Sequence, residues 1–385
     1  MQEVAPLRRG WTTGACATAA TKSALAALLS GAFHDPVTII LPKGEKPSFP
    51  LALEECGADF ARAGIIKDAG DDPDVTHGAM IIARVARGPQ GSGIVFRGGE
   101  GVGTVTKPGL PVAVGEPAIN PVPRQMMEAV VREECALAGV SADIIIEISV
   151  PGGEALALKT WNPRLGIVGG LSILGTTGVV HPFSCAAWIH SIHRGIDVAR
   201  AEGLGHVAGA TGSTSEAAVQ KRFSLPDHAM LDMGDFAGGM LKYLRHNPVR
   251  RVTIGGGFAK ITKLAQGFLD LHSGRSQVDF EWLAARVLAM SDETGDTTGD
   301  TTGDTTGDVN GDVNGAPELA AQIRAANTAQ DARERALAGG FDLAPVVARE
   351  AAVTARRVLK GAAIVVDVII VDRSGAIIAE VLGDG

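Results

Sequence analysis

Residues 205–223, GHVAGATGSTSEAAVQKRF, contain a short apolar strand, a glycine-rich turn and a helix in immediate succession. The same order returns downstream, where a strand over 250–254 leads through GGGFAK (255–260) into another helical segment. Strands that alternate with helices in this way predict a parallel sheet. The complete alternation is predicted as helices over 184–201, 214–222, 235–246 and 258–270 and strands over 205–210, 229–232 and 250–254.

The segments on either side of this alternation extend the prediction to the whole chain. Downstream we expect helices over 278–290, 317–337 and 343–359 and strands over 363–372 and 376–382, with Asp367 in a buried strand and in need of a partner. Upstream, strands over 37–41, 80–87, 94–97 and 143–150 mix with helices over 14–29 and 124–137 without strict alternation. We therefore predict an α+β domain over 1–183 and a smaller α/β domain with a parallel sheet over 184–385.

A four-residue repeat, TGDTTGDTTGDTTGDVNGDVNG, occupies residues 294–315. Asp308, Asn310 and Asp312 alternate like the first ligands of a calcium loop, but Val313 stands where that loop requires glycine. A segment without an apolar face, whose only apolar residues are Val309 and Val313, cannot bury enough surface to offset the entropy of ordering it. We interpret 292–316 as a flexible acidic insertion, with calcium binding as the alternative.

The composition narrows the class of protein. The chain has 385 residues, 35 Lys and Arg against 43 Asp and Glu, a net charge of −8 and only 4% aromatic residues, which disfavours nucleic-acid binding. The N-terminal stretch 12–29 is too polar for a signal peptide or a membrane span, and the four cysteines form no Cys-x-x-Cys pair. We expect a cytoplasmic protein that acts on no membrane, and the sequence leaves a homo-oligomer open.

Three loops should meet at the carboxyl edge of the predicted parallel sheet, where α/β proteins bind ligands. They are GATGS (209–213), DMGD (232–235) and GGGFAK (255–260), and each precedes a helix whose N-terminus favours a polar cofactor group. From them we select Gly209, Thr211, Asp232, Gly234 and Gly255 as cofactor-binding residues. Asp232 could accept both hydroxyls of a ribose, or it could cap the following helix. The spacing around Lys260 does not fit a phosphate-binding loop, which disfavours a kinase.

Two other clusters could bind metal, and each has a simpler explanation. KDAGDDPDVTHG (67–78) carries Asp68, Asp71, Asp72, Asp74 and His77, yet adjacent aspartates beside a proline are typical of turns. His190 and His193 are three residues apart on a predicted helix but have no third ligand nearby. We predict no protein-bound metal. The sequence also lacks a Gly-x-Ser-x-Gly elbow, and we assign no catalytic residue.

Several long motifs resemble the cobalt-precorrin-5B C1-methyltransferase family of oxygen-independent cobalamin biosynthesis. The motifs are RRGWTTGACATAA (8–20), KDAGDDPDVTHG (67–78), GGEGVGTVTKPGL (98–110), PAINPVPR (117–124) and KTWNPRLGIVGGLSILGTTGVV (159–180), with weaker agreement in MGDF (233–236) and KITKLAQGFLDLHS (260–273). The stretch HPFSCAAW (181–188) and Ala259 depart from the family pattern. The resemblance covers nearly everything except the acidic repeat.

The resemblance implies a fold and an activity. The first domain would have a fold like a permuted ribosomal protein S5, and S-adenosylmethionine would donate a methyl group to C1 of a cobalt-bearing tetrapyrrole rich in carboxylates, giving cobalt-precorrin-6A. Cations must bind such an anionic substrate, and the best supply is Lys107, Arg124, Lys159 and Arg164. The turn Gly175, Thr176, Thr177 and Gly178 is a further candidate for cofactor binding. A non-catalytic tetrapyrrole carrier is the alternative function, and affinity for S-adenosylmethionine separates the two.

Overall fold

The computed structural model describes residues 6–295 and 315–384. The chain forms two compact units, one over Met1–Trp188 and one over Ile189–Gly385. The elements up to the end of the first unit are β1 (Gly10–Trp11), α1 (Thr13–Ser30), β2 (Val37–Thr38), β3 (Ser48–Phe49), β4 (Leu53–Cys56), β5 (Phe60–Ile66), β6 (Met80–Arg87), β7 (Ile94–Gly98), β8 (Thr104–Val105), α2 (Pro121–Ala138), β9 (Ile144–Ser149), α3 (Gly153–Ala157), β10 (Ile167–Val168) and β11 (Val179–Val180).

The elements that follow are α4 (Cys185–Ala201), β12 (His206–Ala210), α5 (Ser213–Phe223), β13 (Met230–Leu231), α6 (Ala237–His246), β14 (Arg251–Gly257), α7 (Phe258–Ala265), α8 (Phe280–Gly295), α9 (Ala316–Arg324), α10 (Ala329–Ala338), α11 (Leu343–Leu359), β15 (Val365–Val371) and β16 (Ile377–Val381). Within the described part of the chain, no helix is both long and apolar enough to cross a membrane.

The first unit is organised around a five-stranded sheet in the order β4-β5-β6-β9-β7. All neighbours are antiparallel except β7 and β9. Helix α1 packs against β5, β6 and α2, and almost every residue from Thr13 to Ala27 is buried. The small side chains of its sequence, GACATAA, allow this close approach on all sides, since each occupies little volume.

The second unit has a five-stranded sheet in the order β13-β12-β14-β15-β16. The first four strands are parallel and β16 is an antiparallel edge, which confirms the predicted parallel sheet. Helix α5 packs with Ala208 and Ile369 on one face, while α6, α7 and α11 pack with Val207, Val252 and Ile254 on the other. Successive strand residues point to opposite faces, so each strand contributes to both layers.

Most predicted elements are confirmed, with shifts of a few residues at their ends, but some predictions were wrong. Strands β4 and β5 were not predicted, and the strand predicted over 37–41 forms a ladder only at Val37–Thr38. The helix predicted over 258–270 ends at Ala265, because Gly267 adopts a left-handed conformation with φ of 94°.

The helix predicted over 317–337 is two helices, α9 and α10. The break is explained by Thr328, whose hydroxyl accepts the Asp331 N–H at 3.1 Å and caps a new helix. The predicted insertion over 292–316 is also smaller than expected at both ends, since α8 continues to Gly295 and α9 begins at Ala316. Residues 296–314, on which the rest of that prediction falls, lie outside the described residues.

Candidate functional site

The five cofactor-binding residues predicted in the second unit meet at the carboxyl edge of its parallel sheet. In the ladder register Gly209 lies opposite Leu231, and Ala210 lies opposite Gly255. The loops beyond the strands are joined by hydrogen bonds from Thr211 N–H to the Gly255 carbonyl at 2.9 Å and from Gly234 N–H to the Ala210 carbonyl at 3.0 Å. The loops that carry Gly209, Thr211, Asp232, Gly234 and Gly255 therefore form one continuous edge.

This edge includes the topological switch point of the sheet. Strand β12 continues into α5 on one face, whereas its neighbour β14 continues into α7 on the opposite face. The two connections diverge beside Thr211, and in open α/β sheets such a crevice is where ligands bind.

The glycines of this edge serve different purposes. A Cβ atom on Gly209 would collide with Met240, and one on Gly255 would lie 2.5 Å from a methyl carbon of Val219, so helix packing explains both. By contrast, a Cβ on Gly212 or Gly257 would meet no atom within 4 Å. These two glycines are the N-caps of α5 and α7, and they leave the switch-point crevice open to a ligand. Both lie in loops predicted to meet at this edge, but neither was among the predicted cofactor-binding residues.

A charged cluster joins the loop after β13 to the first turns of α7. The Lys260 ammonium forms an ion pair with Asp235 and also donates to the Leu271 carbonyl at 3.2 Å. The Lys263 ammonium donates to the same carbonyl at 3.0 Å. Burial and the nearby Lys260 ammonium lower the pKa of Lys263, whose side chain is only 5% exposed.

In the first unit, the Gly175–Gly178 turn lies against the start of α1. The Leu174 carbonyl accepts the Gly14 N–H at 3.0 Å, and the Gly178 carbonyl accepts the Thr12 N–H at 2.9 Å. Thr177 hydrogen-bonds to Val179, and Thr176 is exposed. The residue before the turn and the last residue of the turn therefore supply carbonyl oxygens to N–H groups around the first turn of α1, which is a capping role.

The acidic loop over 67–78 is held by ion pairs and hydrogen bonds of its own. Arg8 pairs with Asp68, and hydrogen bonds from Arg8 and from the Gly70 N–H lower the pKa of Asp68 to about 2. The buried Lys67 pairs with Asp74 and donates to the Thr76 hydroxyl at 2.6 Å. Among the described residues, no group of three or more His, Cys, Asp or Glu side chains is arranged to hold a metal ion.

The two helical histidines have different environments, and only His193 is packed. The His193 ring stacks on Tyr243 with 3.9 Å between ring centroids, and Tyr243 donates to Asp197 at 2.7 Å. Burial lowers the pKa of His193. His193 is thus a packing residue whose burial favours the neutral ring, while His190 is exposed at the helix surface.

The four predicted substrate-binding cations have different surroundings. Lys107 packs its aliphatic stem against Gly166, where β8 and β10 pair, and the Arg164 guanidinium lies 4.6 Å from the Trp161 ring centroid. Lys159 is exposed. The pairing of β8 with β10 therefore brings the segments of Lys107 and Arg164 together.

Arg124 has several polar partners within its own unit. Its guanidinium donates to the Ile119 carbonyl at 2.9 Å, to the Pro117 carbonyl at 3.1 Å and to Glu116 at 3.2 Å. These bonds tie the start of α2 to the preceding loop, so Arg124 has a structural role whatever else it binds.

Comparison with known proteins places the chain in a family. The CbiD family model matches residues 1–182, and the model of the CbiD C-terminal domain matches residues 309–381. The cobalt-precorrin-5B C(1)-methyltransferase of Brucella anthropi is 61% identical over 382 residues, which is 99% of this chain and 97% of that protein. The proteins of the same name from Brucella canis and Brucella suis are each 59% identical over 98% of this chain and 97% of their own length.

The chain belongs to the CbiD family. A solved structure, that of the cobalamin biosynthesis protein (cbiD) from Archaeoglobus fulgidus, is 30% identical, covers 70% of this chain and 83% of that chain, and superposes with a TM-score of 0.38. The match to the Brucella anthropi protein covers 99% of this chain. The similarity therefore extends over both units and is not limited to the motifs of the first unit.

Three features of the CbiD chain were not anticipated from its sequence. Lys263, the partnership of Asp235 with Lys260 and the buried pair of Lys67 with Asp74 all depend on contacts between segments distant in the chain or on burial. The only signal for the first two was the weak family agreement in MGDF and KITKLAQGFLDLHS.

Proposed function

We propose that this protein is an S-adenosylmethionine-dependent methyltransferase that methylates C1 of cobalt-precorrin-5B to give cobalt-precorrin-6A. The observation that carries the proposal is the identity of 61% over 99% of the chain to a protein named cobalt-precorrin-5B C(1)-methyltransferase. Cobalt belongs to the tetrapyrrole substrate, and the reaction is a step of cobalamin biosynthesis, as the name of the cbiD protein also indicates.

Methyl transfer requires the donor and the acceptor to be positioned correctly more than it requires a reactive side chain. The acceptor carbon attacks the methyl carbon, the bond from that carbon to the sulfonium breaks, and the electron pair stays on sulfur as S-adenosylhomocysteine leaves. Because the sulfonium is already an activated leaving group, the protein contributes in-line geometry and a suitable electrostatic field. This agrees with the absence of a Gly-x-Ser-x-Gly nucleophile motif from the sequence.

The donor would bind at the switch-point crevice of the second unit. Asp232 follows β13 and would accept the ribose hydroxyls, while Thr211 and the open backbone at Gly212 and Gly257 would contact the remainder of the nucleoside. Helix α6 begins at Ala237 with Phe236 as its N-cap, so Asp232 is not the cap of that helix. That position supports a ligand-binding role for the carboxylate.

The acceptor would be held by cations of the first unit. A protein of net charge −8 needs a local positive surface to capture a substrate with several carboxylates. Lys107 and Arg164 lie on adjoining segments and are the strongest candidates, with Lys159 and Arg124 beyond them. The Gly175–Gly178 turn would contact the acceptor through its backbone. It would not form an anion-binding site, since two carbonyls at its ends already cap α1.

Two structural assignments belong to the same proposal. The α+β domain would extend over 1–183 with a fold like a permuted ribosomal protein S5, and the α/β domain over 184–385. Expressing 1–183 and 184–385 separately tests the division, because each should give a cooperative thermal transition. We also propose that the protein acts in the cytoplasm.

The experiment that tests the function is incubation of the purified protein with cobalt-precorrin-5B and S-adenosylmethionine labelled in the methyl group. We expect label in the tetrapyrrole and a mass increase of one methyl group. A protein that binds the tetrapyrrole but neither binds nor consumes the donor would be a carrier, and the proposal would fail.

A further inference from the structure

Asp235, Lys260, Lys263 and the Leu271 carbonyl form a cluster of mixed charge, called here the lysine cluster. Lys260 contacts both the Asp235 carboxylate and the Leu271 carbonyl, and Lys263 donates to the same carbonyl. A hydrogen bond from the Leu271 N–H to the Asp235 carbonyl at 2.9 Å links the backbone at these two residues of the cluster. Two ammonium groups thus share one carboxylate and one carbonyl oxygen.

The charges in the lysine cluster do not balance. Asp270, the next acid along the chain, is engaged with Arg275 and hydrogen-bonds to the His272 N–H. Burial and the Lys260 ammonium lower the pKa of Lys263, and the opposing effect of the Asp235 and Asp270 carboxylates is smaller. An unbalanced positive charge in a partly buried position favours a bound carboxylate, because the ligand would offset the repulsion between the ammonium groups.

The lysine cluster lies beside the switch-point crevice. Gly234, next to Asp235, donates its N–H to the Ala210 carbonyl at the end of β12. Lys260 is in the first turn of α7, directly after the open Gly257. The Lys260 and Asp235 side chains are 32% and 21% exposed, so both reach solvent at this edge.

We propose that the lysine cluster binds the α-amino acid end of S-adenosylmethionine, an inference that rests on the proposed function. Lys260 contacts the carboxylate of the donor, and the buried Lys263 adds positive potential behind it. The Asp235 carboxylate accepts hydrogen bonds from the α-ammonium group, since the Leu271 carbonyl already accepts from both lysines. A zwitterionic amino acid matches this arrangement, since donors and acceptors of both signs lie side by side. The adenosine part then lies along the crevice toward Asp232.

Calorimetry with two ligands tests the inference, S-adenosylmethionine and its decarboxylated analogue, which keeps the amine but lacks the carboxylate. The intact protein should bind S-adenosylmethionine more tightly. Lys260→Met should weaken S-adenosylmethionine by about tenfold to a hundredfold and leave the analogue unchanged, because only the former makes the charge-assisted contact. Asp235→Asn should weaken both ligands, since both carry the amine.

Controls separate a binding role from a structural one. Lys242→Met removes an exposed lysine of α6 and should change neither affinity. Lys260→Arg should keep the preference for the carboxylate. Equal losses of affinity for both ligands in Lys260→Met, or no loss for either, would overturn the inference. Equal affinities of the intact protein for the two ligands would also overturn it, without any variant. An intact protein that binds neither ligand would instead refute the proposed donor and the inference with it.

Discussion

At the scale of single residues, Asp367 shows how a charge is accommodated inside a parallel strand. It is completely buried in β15, where Arg251 binds it in a bidentate manner at 2.7 and 2.8 Å and the Thr253 hydroxyl donates to it at 2.9 Å. Burial alone would raise the pKa of Asp367, but hydrogen bonds from Arg251, Gly383 N–H and Thr253 together lower it. The partner that the apolar sequence around Asp367 required is thus confirmed.

This network predicts acid sensitivity. A carboxylate with a lowered pKa in the folded state stabilises the protein above its unfolded pKa of about 3.9, and that stability is lost as the pH falls through the folded pKa. Asp367→Asn should lower the free energy of unfolding at pH 7 by about 3 to 5 kcal/mol, because it leaves Arg251 without its counter-charge. Urea unfolding at pH 7 and at lower pH would measure both effects. A variant as stable as the parent at pH 7 would contradict this account.

Asp232 is the residue on which the donor site depends most. Asp232→Asn should weaken S-adenosylmethionine about tenfold to a hundredfold, since a carboxylate accepting from ribose hydroxyls is worth about 1.5 to 3 kcal/mol. Calorimetry measures the affinity and circular dichroism checks the fold. Asp227→Asn, the same change at the amino end of β13, is the matched control. Unchanged affinity would move the donor site away from this edge, and the turn at 175–178 would be the next candidate.

Arg164 and Arg124 give different expectations although both are predicted to bind the acceptor. Arg164→Ala should raise the KM for the tetrapyrrole about tenfold to a hundredfold and leave donor affinity unchanged. Arg124→Ala should also lower the melting temperature, because it removes hydrogen bonds to the Ile119 and Pro117 carbonyls. Arg132→Ala, an exposed change on α2, serves as control. Unchanged steady-state kinetics in both variants would show that these arginines do not bind substrate.

At the scale of elements, the start of α1 connects two of the motifs that carry the family resemblance, 8–20 and 159–180. The Thr12 hydroxyl accepts the Ala15 N–H at 3.2 Å, and strand β1 just before it pairs with β11 just after the Gly175–Gly178 turn. Thr12→Ala should lower the free energy of unfolding by about 1 kcal/mol, while Thr12→Ser keeps the cap. Chemical denaturation of both variants compares them directly. Equal stability of the two variants would show that the cap contributes nothing.

At the scale of the whole molecule, helices α8 and α9, on either side of the acidic repeat, pack directly against each other. Arg324 forms a bidentate ion pair with Glu281 at 2.6 and 2.9 Å. Replacing residues 296–314 by a Gly-Ser linker of half the length should change stability by only about 0.6 kcal/mol, since loop-closure entropy depends weakly on length. Calorimetric melting with and without calcium tests this. Loss of folding would overturn the interpretation as a flexible insertion, and stabilisation of the intact protein by calcium would support the calcium interpretation instead.

Much of the second unit could be predicted from local sequence because its pattern is local. Regular alternation of apolar strands with helices predicts a parallel sheet, and parallel order places the loops after β12, β13 and β14 at one edge. In the first unit, β5 was missed because its sequence FARAGII carries small residues that give weak strand signals and that are buried by packing with α1. A single helix was predicted across α9 and α10 because the composition of the whole stretch is helical. In the structure, the cap at Thr328 separates the two helices.

What the sequence determined by itself was the alternation of elements, the family resemblance and the chemical type of the candidate residues, all of which are properties of neighbours along the chain. Only the tertiary structure decided that Asp235 meets Lys260 and that Arg124 is engaged with backbone carbonyls. It also decided that Gly209 is required by Met240 while Gly257 borders open space. The physical reason is that ion pairing, burial and steric clearance depend on distances between segments remote in sequence, which folding sets and local patterns do not encode.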